Sequence, residues 1–548
     1  MKKKLLSIIS SLFLLASFVG CGSEKETAAA SNAIPAQKVS FNLGTDPKTI
    51  DPQINTAIDG SIVAGNVFEG LYFVGVDSKT VPAAAESVTI SDDGTVYTFK
   101  LRQNGKWSDG KPVTAKDFAY AWKRGLNPDT AMEYAYQLYY IKNGEKFYNH
   151  EVKEDQLGIK VIDDYTLEVT LESATPYFLS LTAVPAYFPL REDIVAKDST
   201  WATKVETYIG NGVFKIKSWA PKDEIVLEKN TNYWDIKDVK LDELTLKMIV
   251  DQKTYLGAFK SGEIDIIDAP PTTEIPSLLA DGTAKSYPFL GTYFYVINLS
   301  DSLKQNSPEA QKFLSNPKAR QALSAALDRK LLVEQVTRGG QLPATGFVPK
   351  GVVDTAGNEF ATKSYIKPTA DIELAKKLLV EAGYDNPSKL PTLVFTYNTS
   401  ESHALVAQAI QDMWQKNLGI KVQLKNQEWA VFQTTRSTKD YEIARHGWIA
   451  DYNDPMTFLD MWVANTGNND ADYNNPKYDA LIKAAQKELN PEKRTALLHE
   501  AEDYLMADMP VLPLYFYVKI ACINPKVKDV AVSPLGQYYF KQAYVDTK

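Results

Sequence analysis

The sequence predicts a mixed α/β protein of more than one domain, and three observations lead there. The chain has 548 residues, whereas a single hydrophobic core stops growing at roughly 250–300 residues. Short alternating strands and amphipathic helices follow one another along its length. No short period recurs, which removes solenoids and propellers. Thirty Tyr, nine Trp and 22 Phe exclude a disordered or fibrous chain, because such chains lack the apolar surface that offsets ordering entropy. The 68 acidic against 60 basic residues argue against nucleic acid, where binding runs on neutralised phosphates. Two Cys and four His leave no disulfide framework, multi-Cys zinc site or His-rich metal site.

The elements can be justified from the amino end onward. Lys2, Lys3 and Lys4 precede an uncharged run from Leu5 to Gly20 that ends at Cys21. That run is shorter than the ~20 residues a membrane-spanning helix needs, so residues 1–20 read as a secretory signal. Phe18-Val19-Gly20-Cys21 resembles the lipobox of bacterial lipoproteins. The resemblance implies acylation of Cys21, palmitate included, and a lipid anchor on the outer face of the cytoplasmic membrane. Residues 21–37 are rich in Ala, Ser and charge with no apolar period, the pattern of a flexible tether.

Lys38–Leu43 alternates as a strand, and so does Thr95–Leu101 after the turn Asp92-Asp93-Gly94. Thr114 with Asp117 three residues on predicts a capping box for a helix that turns Phe118, Ala121 and Trp122 inward. Ile159–Ile162 and Thr166–Leu171 flank Asp163-Asp164 as a hairpin. Gly210-Asn211-Gly212 predicts a turn into a strand. Asn316-Pro317 supplies an N-cap and a first-turn proline for a helix with an Ala319, Ala322, Leu323, Ala326 and Leu327 stripe. Leu374–Ala382 and Ala404–Leu418 repeat the helical period. Tyr478–Leu489 and Glu492–Met506 form a helix pair split at Asn490-Pro491, where proline breaks the ladder. Cys522 reads as a small buried residue.

Catalytic motifs are absent from the sequence: no G-x-S-x-G elbow, H-E-x-x-H, P-loop or Rossmann fingerprint. The sequence therefore predicts a protein that is not an enzyme and carries no cofactor. One cluster stands apart, Ala444-Arg445-His446-Gly447-Trp448-Ile449-Ala450-Asp451-Tyr452-Asn453-Asp454-Pro455. Arg and Asp are seldom buried unpaired in a strand core. An internal ion pair between Arg445 and Asp451 explains the cluster as well as a ligand site does.

At this cluster the chain resembles the oligopeptide-binding proteins of ABC peptide importers, the extracytoplasmic solute-binding protein family 5. The likeness runs from about Phe41 to Tyr544. It includes Thr49-Ile50-Asp51-Pro52, Phe68-Glu69-Gly70-Leu71, the block Asp92–Arg124, Gly210–Trp234, Ser261-Gly262-Glu263-Ile264-Asp265 and Asn316–Arg329. The resemblance implies a periplasmic-binding-protein-like type II (class C) α/β fold, with two lobes closing over the ligand plus an extra domain. It divides the chain into domain I (38–68, 193–290 and 519–548), domain II (69–192) and domain III (291–518). The hinge falls near 290 and 518.

The same resemblance implies a monomeric receptor that binds short peptides and passes them to an ABC transporter permease in peptide (protein) transport, with nutrient uptake and peptide signalling both left open. Asp451 falls at the anchor for the peptide's N-terminus, and Arg445 and His403 at the positions that catch its C-terminus. Backbone strand pairing is implied at Thr56, Ala57 and Ile58 on one side and at Gly447, Trp448 and Ile449 on the other. Main-chain bonds of this kind give affinity without reading side chains, and Gly447 leaves room for close approach. Trp429, Trp448, Tyr134 and Tyr517 match the walls of roomy side-chain pockets, with core packing as the competing account. A third family cation is replaced by Thr337, beside Arg338, and the cysteine pair of some relatives by Gly291 and Ile449.

Overall fold

The computed structural model describes residues 37–547. The expectations for the signal (1–20), for Cys21 and for the tether up to residue 36 lie outside the described residues.

Three sheets organise the chain. A seven-stranded sheet runs in the order Ala284–Tyr287, Lys519–Ile523, Ile266–Asp268, Lys38–Asn42, Glu243–Lys247, Glu224–Lys229, Phe214–Ala220. It is assembled from the beginning, middle and end of the described chain. A four-stranded antiparallel sheet, Ala85–Ile90, Val96–Leu101, Thr166–Thr170, Ile159–Asp163, comes from the segment between its first strands. A six-stranded mixed sheet follows the order Leu342–Pro343, Val511–Phe516, Gly291–Ile297, Ile443–Ile449, Leu393–Asn398, Val422–Gln427. Its central strand Gly291–Ile297 (GTYFYVI) is buried at every residue, as expected of a strand covered on both faces.

The first and third sheets are joined by two short connections. Residues 288–290 link Ala284–Tyr287 to Gly291–Ile297, and residues 517–518 link Val511–Phe516 to Lys519–Ile523. The chain thus has two lobes, one on the seven-stranded sheet with the four-stranded sheet beside it, the other on the six-stranded sheet. This is the two-lobed α/β architecture of periplasmic binding proteins of type II.

The sequence blocks that carry the resemblance tie the first two sheets together. Arg124 binds Asp51 through Nη2 at 2.8 Å and Nη1 at 3.2 Å, a two-pronged geometry that suits guanidinium and carboxylate. Glu69 accepts from Trp234 Nε1 at 2.8 Å and from the Tyr233 hydroxyl. The Asn211 side chain brackets the backbone of Glu69 at 2.9 Å on both sides. A Cβ on Gly210 would sit 2.0 Å from the Val67 carbonyl oxygen, so the turn before Phe214–Ala220 needs glycine for contact.

Local capping follows the sequence closely. Asp117 accepts from the Thr114 N–H at 2.7 Å and opens the helix Ala115–Leu126. Asn316 caps Pro317–Ala325 and Asn490 caps Pro491–Asp508. The preceding helix begins at Pro476, two residues before the expected start, because Asn475 caps it with Pro at the first position. The expected helix start at Ala404 also moves, to Glu401. Cys522 is buried in the seven-stranded sheet.

Candidate ligand-binding cavity

Between the lobes lies a cavity of about 650 Å³, within the size range of small-molecule and peptide sites. Thr56, Ala57 and Ile58 line it from the first lobe, and Arg445 and Gly447–Asp451 from the second. Tyr134, His403, Trp429 and Tyr517 complete its walls. The structure therefore brings all the sequence-identified ligand residues to one cavity.

The strand Ile443–Ile449 shapes one wall. It pairs with Gly291–Ile297 along its whole length, whereas Leu393–Asn398 reaches only Ile443 and Ala444. Beyond Ala444 that edge of the strand is open. Antiparallel strands alternate the direction of their amide groups. The Ala450 N–H donates to Leu290 and the Asn298 N–H to the Glu442 carbonyl, so even-numbered residues bond the neighbouring strand. Gly447 and Ile449 then face the cavity, while the Trp448 amide groups turn toward Thr292. A Cβ on Gly447 would meet Tyr517 Oη at 2.3 Å. Across the cavity Ala57 is already engaged: its N–H donates to Asn55 Oδ1 at 3.2 Å, and its carbonyl accepts from Ser61 as the N-cap of helix Ile58–Val67.

Asp451 and Arg445 do not pair. The Asp451 carboxylate accepts from Thr457 Oγ1 and Tyr134 Oη at 3.4 Å and from Gln137 Nε2 at 3.3 Å. These are three long, neutral contacts. Burial, opposed by the Thr457 and Tyr134 hydrogen bonds, pushes its carboxyl up to about 7. Asp451 thus lines the cavity with no cation paired to it among the described residues.

Arg445 is its counterpart. Nη2 donates to Tyr517 Oη at 3.0 Å, the guanidinium lies 4.9 Å from the Tyr293 ring, and Nε is buried without a partner among the described residues. Phenols and a ring face hold the cation in place without neutralising it. The Tyr293 hydroxyl also lies 3.3 Å from His403 Nδ1. Burial, with Arg445 next to it, holds His403 well below the usual imidazole range, so it is a neutral donor or acceptor near pH 7.

The aromatic walls have distinct surroundings. Tyr134 stacks on Tyr136 at 5.9 Å and sits 5.9 Å from Trp448, whose buried Nε1 has no partner among the described residues. Trp429 donates from Nε1 to Asp59 Oδ2 at 3.0 Å, a bond between the lobes. Thr337 faces the cavity and bonds Gln341 Oε1 through Oγ1 at 2.8 Å, while Arg338 is exposed. Gly291 and Ile449 are register partners, and a Cβ on Gly291 would meet Ile449 Cδ1 at 2.4 Å.

Residues 79–470 match the family described as bacterial extracellular solute-binding proteins, family 5 Middle. The oligopeptide-binding protein OppA of Bacillus subtilis (strain 168) is 38% identical over 551 residues, covering 98% of each chain. The murein tripeptide binding protein MppA of Escherichia coli superposes with a TM-score of 0.86 at 33% identity, over 93% of this chain and 99% of its own. Haemophilus influenzae OppA, in complex with RPPGFSPFR, gives a TM-score of 0.86 at 31% identity, over 94% of this chain and 99% of its own. The chain belongs to this solute-binding family.

As a family 5 solute-binding protein it is an extracytoplasmic binding protein rather than an enzyme. Its cavity also holds charged groups that sequence reasoning passed over. His446 Nε2 bonds Asp470 Oδ2 at 3.1 Å, and the Gly447 N–H donates to His446 Nδ1 at 2.8 Å. Burial, reinforced by Arg436, lowers His446 to about 4, so the ring is neutral with its proton on Nε2. Arg436 approaches Asp470 at 3.6 Å. Asp59 and Glu133 face the same space. The one available signal was the Trp429-x-x-x-Gln433-x-x-Arg436 spacing, which puts three side chains on one helical face.

Proposed function

We propose that this solute-binding protein captures short peptides by their charged ends and backbone and delivers them to an ABC transporter permease. The single observation that carries the reading is a pair of unneutralised opposite charges, Asp451 and Arg445, flanking an open strand edge. An α-ammonium completes Asp451, and a carboxylate completes Arg445 with the His403 ring beside it. An extended backbone between them pairs with the outward carbonyl of Gly447, whose N–H is taken by His446 Nδ1, and with the outward amide groups of Ile449. On the opposite side Thr56 and Ile58 are the candidates, since Ala57 caps a helix.

Arg445 and Asp451 are six positions apart, at most ~20 Å along extended chain, which suits a guest of about three to six residues. Trp429, Trp448, Tyr134 and Tyr517 wall the side-chain spaces, where bridging water can accommodate varied guests. The names of B. subtilis OppA and the H. influenzae OppA complex with RPPGFSPFR support the ligand class.

Closure would turn the three-domain chain (38–68, 193–290 and 519–548; 69–192; 291–518) about residues 288–290 and 517–518. The receptor acts as a monomer, held outside the membrane by acylated Cys21. Membrane retention of the full chain and release of Cys21→Ser test that anchor. Calorimetric titration with tri- to hexapeptides tests the binding. Free-amine peptides should bind and raise Tm by mass action, and N-acetylated versions should bind far more weakly. Equal affinity for both forms would overturn the role of Asp451.

A further inference from the structure

We propose that the cavity also holds a specific subsite for a basic side chain, lysine or arginine, near the guest's amino end. Its centre is Glu133, with Gln433 and the Arg436–Asp470 pair beside it. The inference rests on the peptide reading above and adds a charge preference to it.

The cavity carboxylates can be accounted for one by one. Asp451 serves the guest's ammonium. Asp268 is held by Lys519 Nζ at 2.8 Å. Asp470 is shared by His446 and Arg436. Glu428 caps its own helix by accepting from the Ala430 N–H at 3.0 Å. Asp59 bonds Trp429 through Oδ2 and keeps a buried Oδ1 without a hydrogen-bond partner among the described residues. Glu133 also forms no ion pair among the described residues; it lines the cavity next to the Thr56 hydroxyl and, unlike the buried Asp59, is only half-buried, so a guest can reach it. Burial and Asp470 oppose its ionisation, while Lys48, exposed on the rim, and Arg436 favour it. With His446 neutral, Glu133, Asp470 and Arg436 carry one formal negative charge, which the exposed Lys48 offsets from the rim.

A second observation points the same way. Gln433 is only 6% exposed, lines the cavity, and its Oε1 has no hydrogen-bond partner among the described residues. It lies one helical turn from Arg436 on the helix Trp429–Ser437. An unfilled acceptor and an unpaired carboxylate lining one cavity are what an ammonium or guanidinium, with three or five N–H donors, can satisfy together. Position follows from Tyr134, the neighbour of Glu133, which contacts Asp451. The subsite is completed by closure, because Gly467 of the other lobe packs on the Glu133 backbone, where a Cβ would meet the carbonyl oxygen at 2.3 Å.

The test uses alanine tripeptides with lysine or norleucine at position 1, 2 or 3, titrated calorimetrically into the intact protein. The ratio of the two affinities isolates the charge from the apolar stem. We expect lysine to be favoured roughly tenfold at position 1 or 2, a modest value for a partly enclosed charge pair. The ratio should fall to about one in Glu133→Gln, and Glu133→Lys should favour a glutamate guest instead. Equal affinity for lysine and norleucine at every position, or a preference that survives Glu133→Gln, would overturn the subsite. Binding of the norleucine peptides alone would leave the peptide reading standing; failure of every peptide to bind would remove both.

Discussion

Peptide capture at Asp451 should release a proton, and the size of the effect follows from its surroundings. With the lobes together and no guest present, burial lifts the carboxyl to about 7, while a peptide α-amino group titrates near ~8. Binding needs the carboxylate and the ammonium together. Below pH 7 the guest must therefore displace the Asp451 proton, and affinity falls up to tenfold per pH unit. From pH 7, where half the carboxyl is already protonated, to pH 5 the loss is ~50-fold, about 2.3 kcal/mol. Calorimetry at pH 5.5 in two buffers of different ionisation heat should show close to one proton released per peptide. Asp451→Asn should flatten that slope and weaken binding at pH 7.5 by about 2–5 kcal/mol.

The sign for folding runs the other way from an ordinary paired carboxylate. A folded-state value raised above 3.8 means that the acid's relative stabilisation is present at low pH and lost as pH rises through about 7. Peptide-free Asp451→Asn should then melt above the unsubstituted protein at pH 8 and level with it near pH 4. Asp59, raised to about 6, and Glu502, raised to about 7, titrate in both proteins and cancel in the difference. Absence of proton release, or an unchanged pH slope in Asp451→Asn, would refute the reasoning.

Two further outcomes are expected. Gly467→Ala puts a methyl against the Glu133 carbonyl only when the lobes are together, so peptide affinity should fall by about tenfold or more through the lost closed population. The melting of the peptide-free protein should change little, and small-angle scattering should show a larger radius of gyration at saturating peptide. Asp454→Ala strands Arg494, which binds both carboxylate oxygens at 2.8–2.9 Å and is only 1% exposed. Loss of that buried partner should cost about 3–5 kcal/mol in chemical denaturation.

Much of this was legible in the residues, and the exceptions have physical causes. Local signals held where the chemistry is local: Thr114 and Asp117 cap their helix, and Pro491 splits the helical pair. Asn475-Pro476 is the same kind of signal as Asn316-Pro317, yet the apolar period alone placed that helix start too late. Arg445 and Asp451 gave two equal accounts in sequence, because proximity along a strand says nothing of side-chain direction. The structure separates them by giving each neutral partners. Asp59, Glu133 and Asp470 come from three distant segments and converge only through the fold. No local pattern marks such residues. The open edge at Gly447 and Ile449 depends on how far Leu393–Asn398 extends, which is a property of pairing and not of either strand.

Tyr517 stands on one of the two connections joining the lobes. Its N–H is pinned to the Gly291 carbonyl at 2.9 Å, and its phenol touches Arg445. Arg445 lies on the strand paired with Gly291–Ile297, so the phenol and the guanidinium belong to one body beside the joint. Were a cargo to grip Arg445, its load would reach the residue bordering the pivot through a single hydrogen bond.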